Sequence, residues 1–202
     1  MGGRSITIAQ KVIKHPSASV SVSQYLPVLE MAKTALPDNC QITLLADRGF
    51  QHRGLITWLT QQKWSWLIRA KSDLMVTLKA HCCDCVSQLC PPKDQVYLFN
   101  NVQVFEGTRC NLGIANSSIA SESWEILTNE PILLQAFASY SRRFGGIEPH
   151  FKDYKSGAFE VIRSRIRKPW GLILNPFLIP PLSKTTVILN SKENYLNLYR
   201  GF

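Results

Sequence analysis

The sequence has no long apolar run. No segment of its 202 residues reaches the roughly 18 consecutive apolar residues that a membrane-spanning helix needs, which excludes such a helix from this sequence. Its first residues, MGGRSITIAQ, lack the apolar core of a secretory signal peptide. It also has no internal repeat and no low-complexity block. We therefore expect a cytoplasmic protein with no membrane partner, built as one domain with an appendage.

Negative charge is scarce in this sequence. Acidic residues number 14 against 23 lysines and arginines, which gives a formal net charge of +9. Such a surface attracts polyanions, and nucleic acid is the commonest partner of that kind. A basic protein that binds no nucleic acid remains the alternative on composition alone.

A second pair of metal-ligating cysteines is missing. The run HCCDC (residues 81–85), followed by Cys90, contains one CxxC spacing, and thiolates at that spacing can hold zinc. A structural zinc site usually has a second ligand pair, and only Cys110 lies beyond this run. We therefore favour reduced thiols in a loop-rich segment, as the cytoplasm keeps them, over a zinc site.

Hydrophobic periodicity predicts an α/β protein. The first third of the chain alternates strand, helix, strand, helix and strand, with the strands at residues 5–13, 41–46 and 64–69 and the helices at 23–36 and 54–62. Four short β-like pieces follow, at residues 96–99, 102–105, 112–115 and 124–127. Helix returns at Ile132 and again at residues 147–159, and prolines make the tail harder to interpret. This order favours a sheet covered by helices.

Two carboxylates stand out. Asp47, in LLADRGF (residues 44–50), comes where a buried strand ends, and ligands and metals of open α/β sheets are usually placed at the carboxyl ends of strands. An aspartate that caps the next helix would look the same. Glu148 begins a predicted helix that carries Lys152 and Lys155 on the same face. A solvated helix with an internal ion pair is the alternative there.

Together these motifs resemble the DDE transposases of bacterial insertion sequences. The resemblance rests on LLADRGF, a W-x-W-x-x-R strand, ILTN, a Tyr-x-x-Arg pair and IEPHFKDYKSGAF, in that order. Within this family, the sequence is most similar to the group whose third acidic residue lies in a Tyr, Arg, Glu, Lys signature. It implies an RNase H-like mixed sheet flanked by helices, with an inserted, mostly antiparallel β segment. The domains would be a partial catalytic core (1–73), a β-rich insertion (74–127), the C-terminal core helices (128–182) and a divergent tail (183–202).

The resemblance also implies an activity. In this family three carboxylates hold two divalent cations, Mg²⁺ or Mn²⁺, that catalyse phosphodiester hydrolysis and strand transfer at double-stranded transposon ends. Asp47 and Glu148 match the second and third acids. The predicted DNA-binding residues are Tyr140, Arg143, Lys152 and Lys155.

The sequence departs from the family pattern in two ways. Four residues, 144–147, separate Arg143 from Glu148, where the signature has three. The first acid belongs to a strand upstream of residues 5–13, so we expect an N-terminally truncated fragment that lacks the first catalytic strand and is inactive alone. A non-cutting regulator of full-length transposase is the alternative, and a homo-oligomer or that transposase is a possible protein partner.

Overall fold

A computed structural model of the chain describes residues 5–12, 21–37, 40–78, 83–141, 184–190 and 195–200. The described helices are α1 (Val22–Ala35), α2 (Arg53–Gln61) and α3 (residues 134–141). The described strands are β1 (Ser5–Val12), β2 (Thr43–Ala46), β3 (Ser65–Arg69), β4 (Met75–Thr77), β5 (Cys83–Cys85), β6 (Gln95–Val104), β7 (Thr108–Asn116), β8 (Trp124–Thr128), β9 (Lys184–Asn190) and β10 (Tyr195–Arg200). No helix in these ranges is both long and apolar enough to cross a membrane.

The chain folds into two compact units, one from Met1–Cys40 with Arg142–Phe202 and one from Gln41–Ser141. In the first unit β9 pairs antiparallel with β1 on one side and with β10 on the other. Helix α1 lies against β1 and β9. It buries one face at helical spacing, through Tyr25, Val28, Leu29 and Ala32.

The second unit contains a mixed sheet of seven strands in the order β2-β3-β8-β7-β6-β4-β5. Strands β2 and β3 are parallel, with Thr43 opposite Ser65 and Ala46 opposite Ile68. The remaining pairings are antiparallel. This confirms the predicted α/β fold class, a mixed sheet with helices as an RNase H-like fold requires.

The parallel pair is connected through helix α2. Its apolar positions Leu55, Ile56, Trp58 and Leu59 are buried, and the His52 side chain caps its start by accepting a hydrogen bond from the Gly54 N–H at 3.0 Å. A parallel crossover needs such a helix because the chain must return to the same end of the sheet. Trp64 and Trp66, at the start of β3, are both buried in the core.

Three parts of the described fold differ from the sequence-based expectation. The pieces expected as separate strands at 96–99 and 102–105 form one strand, β6, with a register shift between Phe99 and Val102 where Asn101 has φ 57°. Strands β9 and β10 lie in the tail for which the sequence predicted no secondary structure, and β4 and β5 lie in the expected β-rich segment but were not predicted as individual strands. The predicted helix at 147–159 lies outside the described residues.

The β-rich segment continues the sheet of the second unit. Strand β8 pairs with β3, placing Ile126 opposite Arg69, so residues 124–128 extend the sheet that begins with β2. The predicted domain boundaries at 73, 127 and 182 stay predictions.

A glycine lets helix α3 approach the sheet closely. A Cβ atom added to Gly113 of β7 would lie 2.9 Å from Ile132 Cγ1 and 2.9 Å from Phe137 Cζ. Distances this short leave no room for a methyl group. Gly113 therefore determines how closely α3 packs over β7.

We predict that Gly113→Ala destabilises the protein by about 1–3 kcal/mol, the usual cost of overpacking a filled core. Urea denaturation followed by tryptophan fluorescence measures this change. In a Phe137→Leu background, which removes Cζ, the same substitution should cost less. An equal cost in both backgrounds would show that crowding by α3 is not the reason.

Candidate active site

Asp47 lies directly after β2, a strand whose last three residues, Leu44 to Ala46, are buried. Its Oδ1 accepts a hydrogen bond from the Gly49 N–H at 2.8 Å, and its carbonyl accepts one from the Phe50 N–H at 3.0 Å. These bonds close a 3-10 turn over Arg48–Phe50 that the buried Phe50 ring anchors. The strand therefore delivers Asp47 to the sheet edge, and the turn orients its carboxylate.

Tyr140 of α3 holds the same end of β2. Its ring is 1% exposed and packs edge-on against Trp124 at a centroid distance of 5.9 Å. Its hydroxyl donates a hydrogen bond to the carbonyl of Ala46, the residue before Asp47, at 3.1 Å. The structure thus places Tyr140 beside the candidate acid, as a buried support of the backbone. Its predicted contact with DNA stays a prediction.

An ion-pair network covers the carboxyl ends of β2 and β3. Glu122 Oε2 accepts hydrogen bonds from Arg48 Nη2 at 2.9 Å and from Arg69 Nη2 at 2.7 Å. Arg69 also donates to the Ser123 carbonyl at 3.0 Å, and its Nε lies 3.9 Å from Glu125 Oε2. The network joins Arg48, two residues after β2, to Arg69, the last residue of β3, and to residues 122–125 around the start of β8.

The pKa of the Glu122 carboxyl is lowered, first by the hydrogen bond from Arg69 and then by the charges of Arg48 and Arg69. Glu122 is therefore anionic around neutral pH and balances two guanidinium groups. Arg69 is the more enclosed of the two, with 16% of its side chain exposed against 51% for Arg48. The edge beside Asp47 therefore holds two guanidinium groups, balanced by the carboxylates of Glu122 and Glu125.

The other predicted site residues lie outside the described part of the chain. These are Glu148, Arg143, Lys152 and Lys155. The convergence of Glu148 with Asp47, and the effect of the extra residue before Glu148, therefore stay predictions.

The described cysteines do not assemble with other ligands. Within the described residues, no three His, Cys, Asp or Glu side chains form a group that could hold a metal ion. Burial raises the pKa of the Cys110 thiol to about 12, so this residue is a neutral core thiol rather than a ready thiolate ligand. His81 and Cys82 of the HCCDC run lie outside the described residues.

Sequence reasoning singled out the motifs that contain Arg48 and Arg69 but missed Glu122. The partners lie 74 and 53 positions apart in the chain, and Glu122 belongs to no recognisable motif. The arginines at the ends of two neighbouring strands were the signal that could have indicated an acidic partner such as Glu122, because clustered cations need a counter-ion.

We predict that Tyr140→Phe destabilises the protein by about 1 kcal/mol, because it removes the hydrogen bond to the Ala46 carbonyl inside the core. Thermal and urea unfolding measure the change. Tyr97→Phe is the matched control, since Tyr97 is 41% exposed on β6 and its variant should stay close to wild type. Equal behaviour of the two variants would contradict the supporting role of Tyr140.

Comparison with known protein families matches residues 5–175 to the family described as Transposase DDE domain. The match spans most of the chain and includes the segments of Asp47 and Glu148. A search of the curated proteins found no match. Family members typically use divalent metal ions and act on DNA. Because the match covers well over half of its length, the chain belongs to the DDE transposase domain family.

Proposed function

We propose that this chain acts in DNA transposition, binding duplex DNA at transposon ends and supplying two of the three carboxylates of a nuclease and strand-transfer site. The observation that carries the proposal is the position of Asp47 at the carboxyl end of a buried, parallel strand, in a chain of this family. That is where an open α/β sheet presents ligands of a catalytic site. Glu148 is proposed as the other carboxylate that this chain supplies, the third acid of the family's triad.

The donor chemistry of the site suits a hard divalent cation. Asp47 offers carboxylate oxygens, which Mg²⁺ and Mn²⁺ prefer, and the turn at Gly49 fixes its carboxylate before any ion binds. Asp47 and Glu148 are the residues that we propose hold Mg²⁺ or Mn²⁺. Bound there, such ions supply Lewis acidity toward a phosphodiester.

The protein groups around Asp47 position the substrate and balance its charge. Arg48 and Arg69 provide planar guanidinium groups at the same sheet edge, suited to paired hydrogen bonds with phosphate oxygens. Tyr140 keeps the end of β2 in place. Arg143, Lys152 and Lys155 are proposed to contact the DNA backbone, as the family signature implies.

We propose further that this polypeptide cleaves little or no DNA by itself. Two carboxylates are fewer anionic ligands than a site for two divalent cations normally has. The net positive charge of the chain would still let the protein occupy transposon ends, or join a full-length transposase, without cutting DNA.

We predict that Asp47→Asn weakens Mn²⁺ binding about tenfold or more, because it removes an anionic ligand. Electron paramagnetic resonance of free Mn²⁺ during titration measures the affinity. Asp84→Asn is the control, since Asp84 lies on β5, at the other end of the strand order from β2 in the same unit, and carries the same charge. Equal affinities of the two variants would remove Asp47 from the proposed site.

We predict that duplex binding weakens steeply between about 50 and 200 mM salt, as phosphate contacts release counter-ions. Fluorescence anisotropy of a short labelled duplex measures the affinity. Replacing Arg143, Lys152 or Lys155 singly with Gln should lower the slope of log affinity against log salt by about 1 each.

Lys63→Gln is the control for this series. Lys63 is exposed between α2 and β3, at the end of the sheet opposite Asp47, and its variant should keep the wild-type slope. Salt-independent binding, or equal effects at all four positions, would count against the proposed DNA contacts.

A further inference from the structure

One carboxylate oxygen bridges two arginines beside the candidate active site. Both Arg48 Nη2 and Arg69 Nη2 donate to the same atom, Glu122 Oε2, at 2.9 and 2.7 Å. Two guanidinium groups that reach one oxygen atom lie close together and repel each other. In the absence of ligand, Glu122 supplies the anion between them.

The Glu122 side chain is more exposed and has fewer contacts to hold it than Arg69, one of the two arginines that it neutralises. Its side chain is 55% exposed and lies in the bend before β8. Arg69 also donates a hydrogen bond to the Ser123 carbonyl at 3.0 Å, and its buried Nε lies 3.9 Å from Glu125 Oε2 and has no hydrogen-bond partner among the described residues. Exposed ion pairs are weak, so a better anion can displace Glu122 at small cost.

We propose that Arg48 and Arg69 form a phosphate-binding site, and that the Glu122 carboxylate occupies this site in the absence of ligand. A phosphate diester presents two anionic oxygens to two guanidinium groups, where Glu122 presents one oxygen to both. Glu122 thus competes with the ligand and lowers the protein's affinity for it.

The position of the site identifies the ligand as the backbone of DNA. Arg48 follows Asp47 in the chain, and Arg69 follows Ile68, which lies opposite Ala46 in the parallel pair. A phosphate held by both arginines therefore lies at the strand ends that present Asp47. This identification of the ligand rests on the proposed function, whereas the phosphate site itself rests on the arginines alone.

Duplex binding by Glu122→Gln tests the proposal. This variant should bind a short duplex about three- to tenfold more tightly than wild type at low salt, because it removes the carboxylate that the two arginines share, while Glu125 stays 3.9 Å from Arg69. Glu106→Gln is the matched control: it removes the same charge from an exposed glutamate, 3.5 Å from Arg53, in the same unit. In an Arg48→Gln background, the Glu122→Gln gain should largely disappear.

A second measurement uses inorganic phosphate in place of DNA. Phosphate should raise the melting temperature of Glu122→Gln more than that of wild type or Glu106→Gln. A selective phosphate effect without any duplex binding would uphold the site and refute DNA as its ligand, and with it the proposed function. Equal DNA affinities and equal phosphate responses of the two glutamine variants would overturn the proposal.

Discussion

The parallel pairing of β2 with β3 is the constraint on which the candidate site depends. Parallel strands end at the same edge of a sheet, so Asp47 and Arg48, which follow β2, and Arg69, which ends β3, are brought together by backbone hydrogen bonds. Successive residues of both strands are buried, so a shift in register would carry a polar residue from a strand end, such as Thr43 or Ser65, into the core. The Gln51 side chain adds a further tie by accepting a hydrogen bond from the Lys71 N–H.

The two interpretations of Asp47, a cap and a metal ligand, are physically compatible. The hydrogen bond from Gly49 shows that Asp47 does cap the turn after β2. A carboxylate has about four lone-pair directions, so one bond to a backbone N–H does not exclude a cation. The cap instead restricts the side chain to one orientation, which reduces the entropy lost when a ligand binds. Tyr140 restricts the backbone just before it in the same way.

Much of this arrangement could be predicted from the sequence because it is local. The order from β1 to β3 follows from periodicity and turn residues, and the position of Asp47 follows from an apolar run that ends in Asp-Arg-Gly. The bulge at Asn101 and the ion pair to Glu122 could not, because the first depends on the register of the β6–β7 hairpin and the second on which distant segments become neighbours. The Glu122 pairing in particular requires β8 to lie beside β3, and no spacing rule in the sequence predicts that.

Family membership then changes how the charge at this edge is interpreted. In an unrelated protein, an exposed glutamate between two arginines would be an ordinary surface ion pair with little effect on stability. The proposed ligand is itself a polyanion, so each carboxylate at the edge acts against its approach unless the carboxylate moves or is screened. Arg69 is enclosed and anchored to the Ser123 carbonyl, whereas Arg48 and Glu122 are more than half exposed. The edge therefore combines one enclosed cation with one exposed cation and one exposed anion, which is the arrangement that the proposed exchange of an internal for an external counter-ion requires.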